Sequence, residues 1–225
     1  MSTFLFIAFP YIALVLAIGA GIYRFYSRRF SYSSLSSQLL ENRRLFWGSV
    51  PWHYGITLIL LAHLLAGLFP RAAGAILGNR IRLVVLEMTG VSLALFALVG
   101  IVVLIIRRLP SSSRVRSVTS IMDGVVLFFL LVQVVTGIII ALFDRWGSLW
   151  YLKTAVPWFW SLVLLRPNAS AVAFLPPFVK FHFVWGFAVI LLFPFSRLVH
   201  IWSGFALVVY LLRPYQVMRP GLRRR

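Results

Sequence analysis

Four histidines, His53, His63, His182 and His200, are the residues of this sequence best suited to carry chemistry. There is no cysteine, which removes disulfides, iron–sulfur ligation, thiolate zinc sites and covalent haem attachment through a C-x-x-C-H run. The carboxylates are Glu41, Glu87, Asp123 and Asp144, too few for a relay of buried acids. No glycine-rich loop leads into a lysine and no nucleophile elbow occurs, so phosphate cradling and serine-type hydrolysis are set aside. What remains is imidazole nitrogen, a strong metal ligand when neutral.

These histidines must be positioned by apolar elements. Of 225 residues, 61% are hydrophobic and 12% charged, and mean hydropathy is +0.96. A soluble domain has roughly 45–50% apolar and roughly 25% charged residues. Five stretches reach the ~20 mostly apolar residues that cross a bilayer as a helix. They run from about Phe4 to Tyr23, Val50 to Phe69, Leu83 to Ile106, Ile121 to Phe143 and Phe178 to Trp202. All four histidines fall in the second and fifth spans, two in each. A lone histidine in a span serves most often as an interhelical contact. Two in each of two spans and none in any loop is the distribution that two bis-histidine haems between two helices require.

Spacing pairs them. His182 and His200 are 18 residues apart, about five turns, which puts them on one face ~27 Å apart if the helix is straight. His53 and His63 are 10 residues apart, ~15 Å along the axis. Two residues of one straight helix cannot sandwich one iron, so each haem takes one ligand from each span. With five spans the second and fifth run antiparallel, which pairs His53 with His200 and His63 with His182. The two axial spacings differ by ~12 Å, to be absorbed by tilt, side-chain reach and a kink at Pro194. Four positions after the histidines stand Thr57, Gly67, Gly186 and Gly204, mostly glycines on the ligands' own faces. Arg197, one turn before His200, is the expected partner of an inner haem propionate, with snorkelling to the interface as the alternative.

Charge sets the topology. Net charge is +18. The basic residues sit between apolar spans, which fits headgroups and orientation and not nucleic acid. The first and third loops and the C-terminal segment together hold fourteen of them, and the second and fourth loops hold seven. Basic loops stay in the cytoplasm, so the N-terminus is expected outside and the C-terminus inside. The stretch Leu149 to Leu165 competes as a sixth span, but Lys153, Pro157 and its Trp and Tyr residues fit a helix at the outer interface. The N-terminal stretch reads as a retained first span, since it lacks a basic n-region and a cleavage site. The expectation is an all-α integral membrane protein: a five-helix bundle forming one domain over 1–225, with 204–225 as a basic cytoplasmic tail.

Longer runs carry a family resemblance. FPYIA at 9–13, SSQLL at 36–40, WHYGI at 52–56, AHLLAG at 62–67, RRLPSSSRVR at 107–116, FHFVWG at 181–186 and LLFPFSRLVHIWS at 191–203 resemble the gamma subunit of membrane-bound respiratory nitrate reductase. The resemblance covers Phe9 to about Arg219 and is weakest from Asp144 to Pro177. It implies two non-covalent b haems, with His53 and His200 on the inner iron and His63 and His182 on the outer. It further implies a quinol site at the outer haem, near His63 and the start of the third span, where Arg82 matches the family's basic residue. Electrons would pass inward to an iron–sulfur beta subunit and a molybdenum alpha subunit that reduces nitrate, in a prokaryotic cytoplasmic membrane. Two rival readings remain: a dihaem b subunit of another reductase, of the heterodisulfide-reductase or sulfite type, and a transporter without haem.

Overall fold

The computed structural model describes residues 3–27, 42–108, 120–144 and 146–201, with the side chains of 42–45 excluded. SSQLL, Gly204 and the basic tail 204–225 lie outside the described residues. Every regular element among those described is helical. A π-helical turn, Phe4–Ala8, leads into α1, Phe9–Ser27. Then come α2 (Asn42–Leu68), α3 (Pro70–Leu77), α4 (Arg80–Arg108) and α5 (Ile121–Phe143). Beyond them lie α6 (Gly147–Trp150), a π turn (Tyr151–Ala155), α7 (Val156–Val163) and α8 (Pro177–Leu192).

Five of these are long and apolar enough to cross a membrane: Phe4–Ser27, Phe46–Leu68, Arg80–Arg108, Ile121–Phe143 and Pro177–Phe195. Large apolar side chains cover their outer surfaces, as lipid-facing helices require. The stretch 149–165 is not a sixth helix of that length. Left-handed backbone at Trp146 (φ 63°) and Leu165 (φ 55°) bounds it on both sides. Neither residue is glycine, so each turn carries a steric cost of roughly 1–2 kcal/mol.

The helices pack in the order α2–α4–α5–α8–α1. The pair α2 and α4 touches backbone to backbone. A Cβ on Gly100 would overlap the Trp52 backbone, and one on Gly55 would lie 2.7 Å from the Leu93 carbonyl oxygen. Glycine is what permits this approach where no hydrophobic force between helices exists. Trp52, Ala97, Ile101, Val134 and Ile138 form the core beside that contact. A second core joins α1, α7 and α8 through Phe6, Ala13, Trp158, Val179 and Phe187. There the Trp158 Nε1–H donates to the Phe6 carbonyl at 2.9 Å, and the Tyr11 hydroxyl donates to the Leu162 carbonyl at 2.8 Å.

The fifth span differs from the straight helix expected to Trp202. It ends at Leu192, and two short 3-10 turns follow, Phe193–Phe195 and Arg197–Val199, separated by extended backbone at Ser196. Pro194 removes an amide donor and the chain turns. The freed carbonyls of Pro194 and Ser196 both accept from the Arg24 guanidinium of α1, each at 2.7 Å. His182 and His200 therefore do not share one face of a straight helix. The ~27 Å spacing of this pair presupposed that straight helix.

Candidate functional site

His53 and His200 meet at one end of the bundle, their ring centres 5.9 Å apart and planes inclined at 77°. A metal–imidazole bond is about 2 Å long, so two imidazoles sharing one iron from opposite sides have ring centres roughly 6 Å apart. The helix break at Pro194 brings His200 to this position. His53 sits on α2 one residue after Trp52, where Gly100 draws α4 close.

His63 lies further along α2, and His182 on α8 is within electrostatic range of it. The segment after α5 covers this end. Tyr151 stacks edge-on against the His63 ring at 5.4 Å, and its hydroxyl donates to the His63 carbonyl at 3.1 Å. Burial pushes the Tyr151 phenol above its ordinary value, so it remains a donor through the neutral range. Trp160 Nε1–H donates to the Gly67 carbonyl at 2.9 Å, which fixes the segment to the end of α2.

The four imidazoles share a hydrogen-bond pattern. Nδ1 of His53 faces the Ser49 carbonyl at 2.7 Å, Nδ1 of His63 the Ile59 carbonyl at 2.8 Å, and Nδ1 of His200 the Arg197 carbonyl at 2.7 Å. A carbonyl only accepts, so each Nδ1 carries the proton and each Nε2 keeps its lone pair. In His182, Nδ1 lies 2.7 Å from the Thr136 hydroxyl, which itself donates to the Gln133 carbonyl at 3.1 Å. The Thr136 oxygen is thus the acceptor, and His182 takes the same tautomer. Metal-ligating histidines are oriented in this way, with Nδ1–H held and Nε2 presented.

A haem fits these residues, with one adjustment. The Gln133 carboxamide nitrogen lies 3.1 Å from His182 Nε2, where an iron on that nitrogen would stand. Its Oε1 is buried and accepts no hydrogen bond among the described residues, so only the carboxamide nitrogen is engaged there. Rotation of this flexible carboxamide frees the lone pair. Glycines keep the surroundings open: a Cβ on Gly137 would lie 3.3 Å from His182 Cε1, and one on Gly186 would lie 3.3 Å from Gln133 Nε2.

At the His53–His200 end, Arg197 Nε pairs with Asp123 Oδ1 at 3.1 Å. Asp123 and Ser120 cap the start of α5 reciprocally. Arg108 is also within electrostatic range of this carboxylate, and of Arg107 and Arg197, so positive charge is in excess around Asp123. Arg82 is turned away from the histidines: its guanidinium donates to the Ile76 and Ala75 carbonyls at the end of α3. A groove of ≈ 590 Å³ on the outer face of α4, lined by Val84, Met88, Thr89 and Phe96 among others, includes neither His63 nor Arg82.

Residues 2–221 match the nitrate reductase gamma subunit family. The chain belongs to that family. It is 35% identical over 213 residues to the nitrate reductase gamma chain of Bacillus subtilis (strain 168), covering 93% of this chain and 94% of that one. To the respiratory nitrate reductase 1 gamma chain of Escherichia coli (strain K12) it is 33% identical over 228 residues, 97% of each. It also matches part of a longer protein, the nitrate reductase-like protein NarX of Mycobacterium tuberculosis, at 30% identity over 32% of that protein's length. As a gamma-type subunit it is an oxidoreductase component with five helices able to cross a membrane.

Gln133, Thr136 and Tyr151 were not singled out from the sequence. The first two had a signal, since they are the polar residues of the fourth span beyond Asp123 in its first turn. Tyr151 had none, because it reaches His63 only through the turn at Trp146.

Proposed function

We propose that this gamma-type subunit is a dihaem b cytochrome that oxidises membrane quinol and passes the electrons to the iron–sulfur subunit of a nitrate reductase. The observation that carries the reading is the common orientation of the four histidines, each with Nδ1–H bound and Nε2 presented, with His53 and His200 at the spacing one iron needs. When bound, the two haems supply a one-electron path between the two membrane faces.

His53 and His200 hold the inner iron, and His63 and His182 the outer. The guanidinium groups of Arg197, Arg107 and Arg108 outnumber the Asp123 carboxylate, so the cluster has charge left for the inner propionates. Tyr151 and Trp160 hold the segment 147–163 over His63, which fits an interfacial cover on the outer side. The basic loops place the C-terminus and the inner haem on the cytoplasmic side. There the tail, with the alternative of binding anionic lipid, suits docking to an acidic beta subunit that leads to the alpha subunit. Arg82 braces α3 in this reading and contributes positive charge to the outer boundary near the quinol. The whole chain, 1–225, acts as one membrane domain in a prokaryotic cytoplasmic membrane, and it anchors the soluble subunits.

The test is haem content and reducibility of the complex purified in detergent. Pyridine haemochrome should give two extractable b haems per chain, and a quinol should reduce both. One haem, covalent haem or none would refute the reading. A heterodisulfide- or sulfite-type partner co-purifying in place of nitrate reductase subunits would leave the haem sites standing and replace the acceptor.

A further inference from the structure

Quinol oxidation releases protons as well as electrons, and the histidines proposed as ligands are not available to take them. Among the described residues the carboxylates are Glu87, Asp123 and Asp144. Asp123 lies with Arg197 and the α5 cap at the His53–His200 end. Asp144 ends α5 at the boundary. Glu87 is different. It sits two turns inside α4, about 10 Å from the start of that helix, half-buried and on the His63 side.

Its place is fixed by the segment that covers His63. Glu87 Oε1 accepts from the Ser148 amide at 2.9 Å and from the Ser148 hydroxyl at 2.5 Å. Three residues on, within one helical turn of about 5 Å, Tyr151 packs on the His63 ring. One short segment therefore ties a carboxylate of α4 to the outer histidine of α2. Among the described residues both donors to Glu87 are neutral, the Ser148 amide and the Ser148 hydroxyl. The charged groups on the elements around it are Arg80 and Arg82 on α4, Arg71 on α3, and Asp144 and Lys153 on the covering segment, with Arg145 of that segment outside the described residues. The Arg82 guanidinium is committed to the Ile76 and Ala75 carbonyls.

Resting on the reading of His63 and His182 as outer haem ligands, we propose that Glu87 is the proton acceptor for quinol oxidation, with Ser148 as its positioning residue. The balance closes. Oxidation of a quinol to a quinone breaks two O–H bonds and yields two electrons and two protons. The outer haem, when bound, would supply the one-electron oxidant for both electrons in turn. Each proton passes to the Glu87 carboxylate, which becomes the carboxylic acid and then loses the proton to water beyond Ser148. A carboxylate in this role must lie inside the apolar boundary and close to the outer site without ligating the iron; Glu87 lies two turns inside α4 and is tied through Ser148 to the segment that packs on His63.

The competing reading is that Glu87 only staples α6 to α4, and Glu87→Gln separates the two because its Oε1 still accepts both Ser148 bonds. The measurement is anaerobic stopped-flow reduction of the haems by duroquinol in the purified complex. E87Q should keep both haems and the wild-type KM while kcat falls about 100-fold, the lower end of general-base contributions. Formate or acetate should restore part of the rate to Glu87→Ala. Wild-type kcat in E87Q, or a change confined to KM, would overturn the proposal. Where E87Q itself loses haem, redox-difference infrared spectroscopy decides: reduction by duroquinol should protonate a carboxyl whose C=O band shifts in Glu87→Asp, and a band that this substitution leaves unchanged would overturn the proposal. Failure of duroquinol to reduce the wild-type haems would instead refute the proposed function and is seen before any variant is made.

Discussion

The hydroxyl of Thr136 accepts from the His182 Nδ1–H, alone among the described residues, and replacing it gives a sharp test of how the outer site is held. Thr136→Val keeps the shape and removes the oxygen. The residue is 4% exposed, so water does not replace the lost partner. An unsatisfied buried donor costs about 1–3 kcal/mol. Loss of an outer-shell partner costs roughly 10–100-fold in metal affinity, which is the same scale, about 1.4–2.7 kcal/mol. The hydrogen bond also raises the basicity of the imidazole and so favours ferric over ferrous iron. Its removal should raise the midpoint potential of the outer haem. One-electron couples shift ~59 mV per tenfold, so if a third to a half of the lost affinity distinguishes the oxidation states, the rise is a few tens of mV. Redox titration of the purified variant, followed in the visible band, reads both haems in one experiment. Thr136→Ser, which restores the oxygen, should return the potential. An unchanged outer potential and full haem content in T136V, or a shift confined to the inner haem, would refute the reasoning.

Two further outcomes follow from the packing. Gly100→Ala places a methyl on the Trp52 backbone, so the α2–α4 contact must open; overpacking of this kind costs about 1–3 kcal/mol, and thermal unfolding in detergent should fall by several degrees with loss of the haem nearest His53. Arg24→Ala leaves the Pro194 and Ser196 carbonyls without their charged donor, at about 1.5–3 kcal/mol for each bond; the inner haem, not the outer, should be lost on gel filtration.

The parts of this molecule visible in its sequence are those that depend on local pattern. Runs of apolar residues fixed the five crossing helices, because bilayer thickness leaves few alternatives. The confinement of four histidines to two spans singled them out as the proposed ligands without any contact being known. What stayed hidden depends on where chains meet. The LLFPFSR run carries a proline that signals a bend, but the size of the break depends on Arg24, 170 residues away, accepting the task of binding its carbonyls. Hence the straight-helix premise behind the ~27 Å expected between His182 and His200 does not hold. Arg82 stood at the expected place in the third span, yet the short helix α3 offers its terminal carbonyls first. Arg197 sat beside His200 as expected, but its ion pair with Asp123 links loops that no spacing rule connects. Glu87 read as an isolated acid until the left-handed turn at Trp146 brought Ser148 to it.

The central claim is that two irons are each held by one histidine from α2 and one from the last span, and it is tested most directly by potentiometric titration of four single variants. His53→Ala and His200→Ala should each abolish the same component, and His63→Ala and His182→Ala should each abolish the other. In any variant that retains one haem, the survivor should keep its wild-type potential to within a few tens of mV, since its own ligands are untouched. If His53→Ala removes the same component as His182→Ala, or if any of the four variants retains both haems at full occupancy, the assignment of these histidines is wrong.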